Sequence, residues 1–147
     1  MSEAVPTLPA MDDRRIADAL EQREPVPYPG TWLPAPFPER SGHAVIAQDP
    51  GLSALAVDRA TGHVRLLAED GGAPPELVNS TVRALVDCSR AYAEAAAREI
   101  DADDEDAGDA LTDALLERFR AIDPAAVDRE NAFWSVAAEE LGYGITG

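Results

Sequence analysis

The stretch from Val78 to Ile100 constrains this chain more than any other, because its apolar residues recur at helical spacing along its whole length. Val82, Leu85, Val86, Ser89, Tyr92, Ala93, Ala96 and Ile100 fall on one face, and Arg83, Asp87, Arg90, Glu94 and Arg98 on the other. On the charged face Arg83 and Asp87, Arg90 and Glu94, and Glu94 and Arg98 stand four apart, so opposite charges are neighbours, each pair worth about 0.2–0.5 kcal/mol. The spacing predicts one amphipathic helix with a buried stripe and a wet one. Asn79 or Ser80 is placed to accept from its first free backbone N–H groups and so to set its start.

What such a helix covers is written upstream. His43 to Ala47, Leu52 to Asp58 and His63 to Leu67 read as strands, and Asp58-Arg59-Ala60-Thr61-Gly62 is a short polar loop ending in glycine, a hairpin signal. Leu55 and Val57 alternate on one face and can pair across with Val64 and Leu66, which predicts a small antiparallel meander with one buried face. Asp70-Gly71-Gly72-Ala73-Pro74-Pro75 then turns the chain towards the helix. Further upstream, Met11 to Arg23 reads as a short helix, with Ile16, Ala19 and Leu20 on one side and Asp12 and Asp13 in its first turn.

Between that helix and the strands, the segment from Glu24 to Arg40 holds six prolines, interleaved with Tyr28, Trp32 and Phe37. Proline at this density forbids helix and central strand and favours extended backbone. Pro34-Ala35-Pro36-Phe37-Pro38 could serve as a ligand for an aromatic-grooved peptide-binding module. The alternative, which the cost of exposing aromatic rings favours, is a connector wrapped on the domain with Trp32 and Phe37 tucked into its edge.

Downstream, Glu99 to Asp109 holds seven acids and no base, which predicts a solvated loop. Leu111, Leu115, Phe119 and Ile122 mark a further helix, and Asp123-Pro124 offers a cap and a first-turn proline for the next. Phe133, Trp134, Val136, Ala137 and Leu141 form the last apolar stripe, with Gly142 as its stop.

Charge narrows the classes of partner. The chain has 28 acids against 12 bases, all of them arginine, for a formal charge of -16. Residues 99 to 147 hold 14 of the acids and only 3 arginines, so the C-terminal third carries most of the field. Such a surface repels nucleic acid and anionic lipid and attracts cationic partners. With 147 residues and a single cysteine, the chain is long enough for one domain without disulfides, and a cysteine-rich zinc site is excluded. It lacks a membrane-length apolar run, and Met1-Ser2-Glu3-Ala4 lacks the basic start of a signal peptide, so the cytoplasm is the expected location.

Motifs with their own chemistry are few. The acid run fails the EF-hand pattern: starting at Asp101 puts Asp106 where glycine belongs, and starting at Asp103 puts Ala114 where the bidentate glutamate belongs. Cys88 with His43 or His63 would supply a thiol nucleophile and base, yet Cys88 falls at the edge of the helical stripe, where small buried thiols are common and inert. Gly71-Gly72 is followed by Ala-Pro-Pro and cannot begin a phosphate-binding loop. No catalytic residue, metal or cofactor is expected.

The order and spacing of four features carry further. They are the hairpin Ala56-Val57-Asp58-Arg59-Ala60-Thr61-Gly62-His63-Val64, the helix opening Val78-Asn79-Ser80-Thr81, the turn Ile122-Asp123-Pro124-Ala125, and Phe133-Trp134. Together, over roughly residues 43 to 145, they resemble the SUKH superfamily of bacterial immunity proteins, particularly its fourth subfamily. The resemblance implies an α+β fold, a small antiparallel sheet packed against about three to four helices. On this reading residues 1–147 form one SUKH-like domain, with the short helix at about 11–23 and the proline-rich connector at about 24–40.

It further implies a non-enzymatic role: binding and neutralising a cognate polymorphic toxin, often a nuclease or nucleic-acid deaminase; the mechanism expected here is occlusion of the toxin's active site. With the acidic balance, the expected partner is a basic toxin or another cationic protein. Asp101, Asp103, Asp104, Glu105 and Asp106 are the candidate charged rim and Trp32 a candidate anchor. A regulatory or scaffold module with the same fold and no toxin is the alternative. A hydrolase built from a pocket joining His43 or His63 to Cys88 is a third.

Overall fold

A computed structural model describes residues 12–69, 74–98 and 104–142. Within them the elements run α1 (Asp13–Leu20), β1 (Thr31–Trp32), β2 (Glu39–Arg40), β3 (His43–Asp49), β4 (Ser53–Asp58), β5 (Val64–Ala68), β6 (Glu76–Asn79), α2 (Val82–Ala96), α3 (Glu105–Ile122), a 3₁₀ turn (Pro124–Val127) and α4 (Phe133–Gly142). The architecture is α+β, with four helices and a six-stranded antiparallel sheet in the order β1-β3-β4-β5-β6, β2 pairing β3 beside β1.

The β4–β5 hairpin forms as its residues predict. Leu55 pairs with Leu66 and Val57 with Val64, and Leu55, Val57 and Val64 are wholly buried on the side facing the helices. The Asp58 carboxylate accepts from the Ala60 and Thr61 amides at 2.9 and 3.3 Å, and Gly62 takes the positive φ of +83° that closes the turn. Ser41 and Gly42, also at positive φ, make the two-residue turn that joins β2 to β3.

Two features of the sheet differ from the sequence reading. The opposite face is buried as well: Val45, Ala54, Ala56 and Leu67 form a second apolar cluster with Leu33 against it. Ala54 and Ala56 are small, Arg65 pairs in register with Ala56, and Arg40 reaches from β2 to Glu69 at the end of β5. A shallow apolar strip thus lies on a face that alternation alone marks as solvent-facing. Secondly, a bulge between Val45 and Ala47 lets Ala44, Ile46 and Ala47 all enter the helix-facing core.

Val78 and Asn79 do not open the long helix. They end edge strand β6, paired to β5, and Thr81 caps α2 by accepting from the Ala84 amide at 2.9 Å. An exposed pairing edge on β5 competes with helix extension, and Asn79 cannot cap because its side chain is committed to the core. The buried face of α2 is also wider than one stripe, since α1 and α3 pack on it in addition to β6. Ala84, Cys88, Ala91 and Ala95 are buried while Ala96 is exposed, and Ile100 lies outside the described residues. Of the expected ion pairs only Arg83–Asp87 forms, at 3.4 Å; Arg90 turns to the Gln22 carbonyl and Glu94 to Arg118, because neighbouring elements offer closer partners.

The acid run is not a loop throughout. Asp104 caps α3 by accepting from the Ala107 amide at 3.0 Å, and Glu105 to Asp109 are helical, as acids in a first turn complement the helix dipole. Residues 99–103 lie outside the described residues. From there α3 runs antiparallel to α4 at very close range: a Cβ on Gly108 would strike the Gly142 carbonyl, and one on Gly142 would strike Thr112 Oγ1 and the Gly108 carbonyl. Thr112 Oγ1 donates to the Ala138 carbonyl at 3.1 Å, which fixes the crossing.

Candidate partner-binding surface

Three of the four sequence features that stood out meet in the core through Asn79, Asp123 and Trp134, all of them buried. Trp134 is fully buried among Phe119, Phe133 and Tyr92, with ring centroids at 5.0, 5.2 and 6.3 Å. Its Nε1–H donates to Asn79 Oδ1 at 2.7 Å. Asn79 Nδ2 in turn donates to Asp123 Oδ2 at 3.0 Å, where the Ser80 amide also donates at 2.7 Å, and Ser80 Oγ donates to Asp123 Oδ1 at 2.8 Å. The Asp123 side chain therefore does not cap the 3₁₀ turn that follows; Pro124 sits at that turn's first position and the Asp123 carboxylate binds β6 instead. A buried carboxylate met by three donors is satisfied without a cation. These motifs hold the last helices to the sheet edge.

The hairpin motif has a parallel role at the other end of the sheet. Arg59 joins the Asp13 carboxylate of α1 at 2.6 Å to Glu39 of β2 at 2.7 Å, and Asp13 also accepts from the Phe37 amide at 3.0 Å. The Arg59 guanidinium holds the Asp13 carboxyl below the ordinary carboxylate range, more than partial burial raises it. Burial acts against the charged form of Asp58, but the Arg65 guanidinium and the Ala60 and Thr61 amides outweigh it, so this carboxyl too is depressed.

Neither histidine faces the thiol. His43 Nδ1 lies 2.9 Å from the Ser41 carbonyl and Nε2 lies 3.2 Å from Arg65, while His63 meets the same guanidinium at 3.3 Å. Cys88 is buried with Asn79 as its hydrogen-bond partner, and burial pushes its thiol up to about 12. A thiol held protonated has little nucleophilicity. Among the described residues, no group of three or more His, Cys, Asp or Glu is placed to hold a metal ion, and no helix is long and apolar enough to cross a membrane.

The proline-rich segment lies along one edge of the sheet. Both β1 and β2 pair with β3, the Leu33 amide donating to Ile46 and the Val45 amide to Pro38, so the proline-rich segment is stitched onto that edge. Phe37 is buried within it and Trp32 packs half-buried against the core. The Pro34–Pro38 run is consequently part of the fold and not a free peptide ligand. At the far edge, the Ser80 amide beyond β6 is taken by Asp123.

Of the candidate rim, Asp104 and Asp106 are exposed at the start of α3 and Glu105 is its first residue, while Asp101 and Asp103 lie outside the described residues. Because the run continues as helix, Asp106, Asp109, Asp113 and Glu117 share one exposed face, a ridge about 17 Å long at 1.5 Å per residue. Among the described residues, Asp106, Asp109 and Asp113 are in no ion pair, and Glu117 meets only Arg120. Glu139 and Glu140 add exposed charge on α4, which packs beside α3. The spacing of 106, 109, 113 and 117 is legible in the sequence once the run is read as helix. Trp32 stands apart from this ridge, on β1 under Arg23.

A family model described as SUKH-4 immunity protein matches residues 5–140. The match takes in α1 and the proline-rich segment, which lie ahead of the motifs that carried the resemblance. No curated protein and no solved structure matches.

Proposed function

Because this chain belongs to the SUKH-4 immunity protein family, we propose that it is a non-enzymatic inhibitor that binds one cognate toxin and covers its active site. Family membership supports the immunity role and implies a toxin as partner. The finer reading is that the toxin is a basic protein of nuclease or nucleic-acid deaminase type, met in the cytoplasm of the cell that is protected. An enzyme that works on nucleic acid presents a cationic cleft, and an acidic protein surface complements it.

The observation that carries this reading is the acidic ridge Asp106, Asp109, Asp113 and Glu117, with Asp104 at its head; among the described residues its aspartates are in no ion pair and Glu117 meets only Arg120. Charges of one sign on one face raise encounter rates roughly 10- to 1,000-fold at low salt, an effect that fades as the Debye length falls. Trp32, half-buried and aromatic, suits an anchor that sets residence time.

The test starts with a pull-down from the native host and a toxicity rescue with the captured toxin. Changing Asp104, Asp106, Asp109 and Asp113 to Asn should then slow association and flatten its salt dependence while dissociation changes little. Rescue of toxicity with unchanged association kinetics in that variant would remove the ridge from the interface.

A further inference from the structure

Trp32 lies on edge strand β1 against the helix-facing core, and the guanidinium carbon of Arg23 sits 4.3 Å over the centre of its ring. Arg23 is half-buried, donates through Nη1 to the Leu20 carbonyl at 2.9 Å, and takes part in no ion pair among the described residues. Burial pulls its pKa down from the ordinary arginine value. In a chain with 28 acids for 12 arginines, this cation has given up water for a carbonyl and an aromatic face, although Glu21 and Glu24 stand exposed on either side of it in sequence. An indole face is the best aromatic seat for a guanidinium, and an uncovered indole would be an exposed apolar patch.

We propose that the outer face of Trp32 is a cation-recognition face that Arg23 fills in the free protein, and that a basic partner engages it by putting an arginine of its own in place of Arg23. The inference rests on the reading of the partner as basic. Exchanging one guanidinium for another on the same ring is close to neutral at the ring itself, while the released Arg23 regains water and rotamer freedom. Glu21 and Glu24, exposed near Arg23 in sequence, add negative charge to this segment that favours a cationic partner. Arg23 is thus an internal stand-in for a residue of the partner, and Trp32 becomes a contact by exchange instead of by simple exposure.

The probe is a short blocked peptide carrying two arginines, with a twin carrying citrulline, which keeps the shape and loses the charge. It is titrated into the full chain and into Arg23→Gln and Arg23→Ala, each checked for folding by its spectral dispersion. The Trp32 indole N–H resonance is followed, with the Trp134 indole, bonded to Asn79, as internal reference. With Arg23→Gln the arginine peptide should move the Trp32 signal at a concentration roughly two- to fivefold lower than in the unaltered protein. Arg23→Ala should act in the same direction, and the citrulline peptide should move nothing. Equal midpoints in all three proteins, or equal action of the citrulline peptide, would overturn the proposal. Shifts confined to α3 amides would overturn it while leaving the acidic ridge standing; shifts at Trp32 without any on α3 would support it and count against the ridge.

Discussion

Asn79 Oδ1 accepts the Trp134 indole proton at 2.7 Å in a site where both residues are completely buried, so the last described strand and the last described helix are joined by one polar bond. The bond is also the head of a chain that runs through Asp123 to Ser80. Low local polarity makes each link costly to leave unmade.

Asn79→Ala should therefore destabilise the fold by about 1–3 kcal/mol for each donor or acceptor it strands. Trp134→Ala, which adds a large cavity among Phe119, Phe133 and Tyr92, should cost about 3–5 kcal/mol. Urea unfolding of the two variants measures both, and a change below about 0.5 kcal/mol for Asn79→Ala would mean the network is not coupled to stability.

Acid should unfold the protein through Asp13 and Asp58. Both carboxyls are depressed below 3.8 in the folded state, so each contributes stability that is fully present above the unfolded value and lost as pH falls through the folded one. The urea midpoint should hold steady at neutral pH and drop below about pH 4, and Asp58→Asn should flatten that drop. A midpoint that rises on acidification would contradict the sign.

Cys88 should resist thiol reagents in the native protein. With its thiol pushed up to about 12 by burial, the thiolate fraction at pH 8 is of order one in ten thousand. Labelling by a maleimide or an aromatic disulfide should track global unfolding in urea; rapid labelling without denaturant would show a path to the thiol that burial denies.

The α3–α4 crossing should be intolerant of any side chain at its narrowest point. Gly108→Ala puts a methyl into the Gly142 backbone, and Gly142→Ala puts one into Thr112 and the Gly108 carbonyl, atoms that cannot rotate away together. Each should lower stability by about 1–3 kcal/mol, and because the ridge rides on α3, toxin binding should weaken with it. A thermal melt beside an association measurement separates the two effects.

Strand alternation in Leu55, Val57, Val64 and Leu66, the glycine turn at Gly62 and the apolar stripes of α2, α3 and α4 were legible in the sequence, because each depends on residues within a few positions of one another. So was the acidic balance of the C-terminal third. What only the tertiary structure decided is which partner each ambiguous residue takes. Val78 and Asn79 fit a helix or a strand locally, and the open edge of β5 makes them strand. Asp123 reads as a cap, yet the donors of Asn79 and Ser80, more than forty residues away, claim its carboxylate. The acid run reads as a loop until Asp104 caps it and α4 gives it a surface to lie on. Local propensities differ by tenths of a kcal/mol, whereas a buried bond or a packed face is worth several times that, so distant partners settle what near neighbours leave open.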